Sequence, residues 1–206
     1  MKATPPFLVA VCILAALGAC SNAVLDPKYE RNPEPRHNRV VTATIEGAPG
    51  PFAVANASAQ YIIGPSQTCM PSAEPISGTF PTPKRFPISL PVRKLSDNVF
   101  EFDVYQDGML AKDYFGKGVC TWQIETVTLY LKSSNKPNLV GYSVTLLDHD
   151  LGDRQRTVFY AQRDIFSATT TMPGDASDPA QHKQDFEMLY GTDPSKYFTI
   201  TMDASV

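Results

Sequence analysis

Charge of one sign, long apolar runs and candidate catalytic histidines are all scarce in this chain. Only 19% of the residues are charged, and 18 Lys and Arg stand against 21 Asp and Glu. A net charge of −3 excludes a polybasic surface built for nucleic acid or for anionic lipid. There are three histidines, His37, His149 and His182, so a general base or a His-rich metal site has few sources. A Gly-x-Ser-x-Gly sequence is lacking, and so is any internal repeat. No alternation of strand and helix patterns exists that would build a parallel α/β sheet.

Proline is plentiful but uneven. Of 18 prolines, 12 lie between Pro27 and Pro91, and none lies between Val92 and Lys136. Proline cannot donate to a sheet ladder and breaks helix interiors. The first half should therefore be loops, turns and edge strands, and the Pro-free stretch should hold central strands.

The one strongly apolar segment follows Lys2 and runs from Phe7 to Leu17. It is about half as long as a membrane-spanning helix. A basic start, a short apolar core and small residues make a secretory signal. Leu17-Gly18-Ala19-Cys20 resembles the lipobox of bacterial lipoproteins. That resemblance implies cleavage after residue 19, with Cys20 diacylated as the mature N-terminus. Ser21 stands where an Asp would retain many such proteins at the inner membrane, so an outer-membrane anchor with a periplasmic domain is expected. Cleavage removes one cation, Lys2, leaving 17 cations against 21 acids and a net charge of −4.

On this reading Cys12 leaves with the signal and Cys20 carries lipid. Cys69 and Cys120 remain in an oxidising compartment and are expected to form a disulfide. Closing a loop of roughly 50 residues stabilises by about 4 kcal/mol in the chain-entropy model. The alternatives are two buried thiols or half a metal site, but no His or Cys stands near either at ligand spacing. The expected organisation is a signal over 1–19, a lipidated tether over 20–38 and one domain over 39–206.

Apolar alternation marks the strands. Arg39–Glu46 places Val41, Ala43 and Ile45 on one side. Phe52–Ile63, the Phe86/Ile88/Leu90 stretch, and Val99–Tyr105 with Phe100, Phe102 and Val104 follow. Asp107-Gly108 reads as a hairpin turn in which Gly supplies a positive φ, with Met109–Phe115 as the returning strand. In Gly118–Lys132, Cys120, Trp122 and Ile124 are out of phase with Val127, Leu129 and Leu131. Both sets can face inward only if a bulge or bend falls near Glu125–Thr126. Val140–Leu147, Thr157–Ala161 and Tyr197–Met202 complete the pattern. One helix is expected, capped by Ser177-Asp178, entered at Pro179, burying Phe186, Leu189 and Tyr190, and stopped at Gly191. The fold class is all-β and mainly antiparallel, a β-sandwich or open barrel of eight or nine strands with one C-terminal helix.

Chemistry is sparse. His37 falls in the tether, and His149 and His182 offer weak starts for a triad, so no catalytic residue is assigned. Asp148-His149-Asp150-Leu151-Gly152-Asp153 is the densest charged cluster. Its Asp-x-Asp-x-x-Asp order offers oxygen ligands for Ca²⁺ as one reading, without the repeated EF-hand pattern or the closing Glu, and no metal or other cofactor is assigned. It reads as a solvated turn or an acidic recognition loop; Asp148, His149, Asp150 and Asp153 are the candidate partner contacts, with Tyr114 as a candidate interface aromatic. Trp122 is expected in the core.

Gly118-Val119-Cys120-x-Trp122, followed by Val127-x-Leu129, resembles small proteobacterial lipoproteins encoded beside type VI secretion lipase effectors. The likeness covers the lipobox and about 20 residues. It implies an immunity protein that binds and blocks a phospholipase arriving from a sister cell. The expected partners are thus a protein, and a membrane through the lipid, with no nucleic acid. A structural or envelope-assembly lipoprotein is the alternative, and a hydrolase a distant third.

Overall fold

A computed structural model of the chain describes residues 27–64, 66, 68–72, 85–152, 154–171 and 176–206. Ten strands form two five-stranded sheets packed as a sandwich. One sheet has the order β4 (Val92–Ser96), β5 (Val99–Tyr105), β1 (Asn38–Glu46), β10 (Tyr197–Ser205), β8 (Gln155–Gln162). The other has the order β3 (Arg85–Leu90), β2 (Val54–Ile63), β6 (Trp122–Lys132), β7 (Gly141–Leu147), β9 (Ser177–Pro179). Every pairing is antiparallel except β7 with β9.

The alternating residues meet between the sheets. Val41, Ala43 and Ile45 of β1 are buried against Phe100, Phe102 and Val104 of β5 and Phe198, Ile200 and Met202 of β10. Facing them are Ala57, Ala59 and Tyr61 of β2, Val127, Leu129 and Leu131 of β6, and Tyr142, Val144 and Leu146 of β7. The larger of these side chains each stabilise by about 1.5–3 kcal/mol when fully buried, which is why period-2 patterning fixes these registers.

The phase break in β6 is a β-bulge. Gln60 pairs with Thr126 and Tyr61 with Ile124, so Glu125 has no opposite residue on β2. The extra residue lets Ile124 and Val127 both point inward, and turns Glu125 out to an ion pair with Arg85.

Four expectations are corrected. Met109–Phe115 does not return along β5, whose partners are β1 and β4. It runs instead past the N-terminal segment and the disulfide strand, with bridges Arg31↔Met109 and Lys112↔Cys120. Nor does Gly108 adopt a positive φ; a Cβ there would stand 2.5 Å from the Tyr61 hydroxyl, which is bonded to the Tyr105 carbonyl. Close approach, not turn type, demands glycine. Secondly, Ser177–Pro179 forms edge strand β9 rather than a helix cap. The helix α1 begins later, at Lys183–Tyr190, with Gly191 closing it at φ 84°. Of its expected apolar face Phe186 is buried, but Leu189 is 58% exposed. Thirdly, the Pro-rich half supplies interior strands β1 and β2, which contain no proline themselves.

The fourth correction is the tether. Residues 27–37 dock on the body. Asn32 N–H donates to the Gly108 carbonyl at 3.0 Å, and Leu110 N–H to that of Glu30 at 3.0 Å. The Asp107 carboxylate accepts from the backbone N–H groups of Arg36 (2.9 Å) and His37 (3.0 Å). These contacts span some 70 residues of sequence, where local composition has no influence.

Candidate functional site

The sandwich has two chemically different ends. At the first lie the start of β1, the ends of β2 and β5 and the start of β6. Here Cys69 and Cys120 form the expected disulfide, with Cα atoms 5.3 Å apart. A small second core of Ile63, Met70, Tyr114, Phe115 and both cysteines surrounds it. Tyr29 closes this core from the N-terminal segment. Its ring meets Trp122 at 4.9 Å, Tyr114 at 5.1 Å and Phe86 at 6.4 Å, all edge to face. Asp107 lies below the usual carboxylate range. Burial opposes its ionisation, but the backbone N–H groups of Arg36 and His37 outweigh that effect.

The residues expected to touch a partner divide. Tyr114 is only 6% exposed, and its hydroxyl donates to the Leu110 carbonyl at 2.7 Å. It is a core residue of this end. Asp148–Leu151 is a 3-10 turn that carries the chain from β7 in one sheet to β8 in the other. Asp150 is 7% exposed, accepting from Leu147 N–H at 2.9 Å and from the Thr157 hydroxyl at 3.3 Å. Its charge is used inside the turn, so the solvated-turn reading fails for it. Asp148 and His149 are exposed. Asp153 and Cys20 lie outside the described residues. Among the described residues, no three His, Cys, Asp or Glu groups converge as a metal site requires.

None of the three histidines makes a catalytic pair with a serine, threonine or cysteine among the described contacts. His37 faces Asp107 at 3.4 Å, His149 faces Asp150 at 3.7 Å, and the His182 ring tilts against Phe159 at 4.9 Å.

Sequence patterning did not point to the second end. There a cleft of about 550 Å³ opens between α1, the end of β8 and the start of β10. Phe186, Leu189 and Tyr190 line it on one side, with Gln162, Arg163, Asp164 and Lys196 on the other. Ser195 lines it too, its hydroxyl donating to the Asp193 carboxylate at 2.7 Å. Aromatic packing makes the floor: Phe186 meets Tyr190 at 4.9 Å and Tyr197 at 5.5 Å. Beside the cleft Met188 is 76% exposed. Arg163 donates to the Tyr197 carbonyl at 3.0 Å. Pattern reasoning misses this place because its residues come from four separate elements.

Beneath the cleft Gln162 donates to both Asp178 oxygens at 3.4 Å, and the Tyr142 hydroxyl donates to the Gln162 carbonyl at 2.8 Å. Burial raises Asp178 above the usual range, and the nearby Asp164 adds to the rise, while the Gln162 bond opposes it. A raised folded-state value means that ionised Asp178 costs stability at neutral pH. That cost vanishes well below the unfolded value near pH 4. Asp178→Asn should therefore stabilise the domain at pH 7, by less than about 1 kcal/mol because the site is partly solvated. The gain should disappear at pH 3 in paired thermal melts; a loss of stability at pH 7 would contradict this assignment.

No helix among the described residues is long and apolar enough to cross a membrane. No family model, no curated protein and no solved structure matches this chain.

Proposed function

We propose that the chain is a lipid-anchored immunity protein that binds a secreted lipase effector and occludes its active site on the periplasmic side of the outer membrane. The observation that carries this reading is the α1 end of the sandwich. Met188 and Leu189 stand exposed beside a cleft with an aromatic floor and the cations Arg163 and Lys196 at its rim. Aromatics, Met and Arg are the residues enriched where proteins bind one another. The contact surface is assigned to the α1 end rather than to Asp148 and His149 at the other end.

A competition assay tests the reading. Cells lacking this chain, mixed with their parent on a solid surface, should be recovered in reduced numbers, yet grow normally alone. Equal recovery would contradict it. An envelope defect in cells grown alone would instead favour the envelope-assembly role.

A further inference from the structure

We propose that residues 27–37 form an orienting strap that stands the domain end-on upon the membrane, with the disulfide end against the phospholipid headgroups and the α1 cleft facing away. This inference rests on acylation of Cys20, as in the function proposed above.

The magnitudes exclude the inverted orientation. Only seven residues, Cys20 to Asp26, separate the lipid from the first described residue, Pro27. Fully extended they reach roughly 25 Å. The longest strand, β6, has 11 residues, so the sandwich is roughly 35 Å long at ~3.3 Å per residue. A chain leaving the Tyr29 end is therefore too short to let the α1 end rest on the bilayer. A free tether over residues 20–38 would allow any orientation; a docked one does not.

The surface at that end sets exposed cations for headgroups beside the exposed acids Asp113 and Asp148. The loop Asp113–Val119 lies beside Tyr29, through the Tyr114 ring contact and the Lys112–Glu30 ion pair at 2.7 Å. Its tip turns on Gly116 and Gly118, at φ 70° and 106°, with open space around both. It exposes Lys117, and Val119 at 63%. Lys28 is exposed on the strap itself. Lysines near an anionic surface are attracted to it, so two lysines and one valine can settle an end that the anchor already holds close.

The test uses the full acylated chain in vesicles of phosphatidylethanolamine and phosphatidylglycerol. A fluorophore is placed at Lys117→Cys or at Met188→Cys, with Cys69–Cys120 intact, and quenched by headgroup spin-labelled lipid. Quenching at position 117 should exceed that at 188 several-fold, and Tyr29→Ala should erase the difference. Equal or reversed quenching in protein whose intact mass shows the acyl chains would overturn the strap and leave the anchor standing. An intact mass without acyl chains would overturn both.

Discussion

Reduction of Cys69–Cys120, or its replacement by Cys69→Ala/Cys120→Ala, should lower the stability of the domain by about 4 kcal/mol and its melting temperature by about 10 °C. The bridge closes a loop of 51 residues, and that loop contains β3, β4 and β5. Without the bridge the unfolded chain regains the freedom of that loop. The folded state also loses packing, because both cysteines are buried with Ile63, Met70 and Phe115. The main core between the sheets contains neither cysteine. The reduced protein should therefore keep its far-ultraviolet β signal at 20 °C while the aromatic near-ultraviolet signal of Tyr114 and Trp122 weakens. A melting shift below about 2 °C would contradict a stabilising role for the bridge.

Tyr29→Ala should cost about 3 kcal/mol, near the lower end for aromatic truncations because Tyr29 is only partly buried. Three edge-to-face neighbours each contribute on the order of 1 kcal/mol beyond buried area. The ring is the apolar anchor of the strap, since the other strap contacts are hydrogen bonds and the ion pairs Glu30–Lys112 and His37–Asp107 near the surface. Its loss should free the backbone around the exposed Lys28, Arg31 and Arg36 for trypsin. Cleavage there should rise at least about tenfold while the sandwich stays intact, as local opening follows the free energy of the local contacts. Unchanged cleavage with an unchanged melt would mean that residues 27–37 do not depend on this ring.

Both effects act at the end of the molecule that the sequence describes least well. The strands were legible because burial on one face leaves a period of two, as in Val41/Ala43/Ile45 and Phe198/Ile200/Met202. The Glu125 bulge was legible for the same reason: two apolar sets out of phase admit one solution. The disulfide followed from counting cysteines. By contrast, the docking of Tyr29 depends on partners 57 to 93 residues away, Phe86 and Trp122 at the extremes, and nothing local marks it. Asp150 has the pattern of a surface acid, yet the Leu147 N–H and the Thr157 hydroxyl hold its carboxylate inside. Ser177-Asp178-Pro179 carries good helix-cap residues, but β7 offers an edge that pairs with it first, at Gly141↔Ser177 and Tyr142↔Asp178. The α1 cleft was invisible because Leu189 fits a helical apolar stripe and still faces solvent.

The central claim is that this domain works by binding a protein through its α1 end. The most direct measurement is calorimetric titration of the chain with the secreted lipase effector that the proposed function calls for. The account predicts a dissociation constant of about nanomolar or tighter for the parent chain. Met188→Asp/Leu189→Asp should weaken binding by at least about 30-fold, as loss of a central apolar anchor does, without shifting the melt. Asp148→Asn should bind as the parent does. Absence of heat with the effector, or a double variant that binds as tightly as the parent, would contradict it.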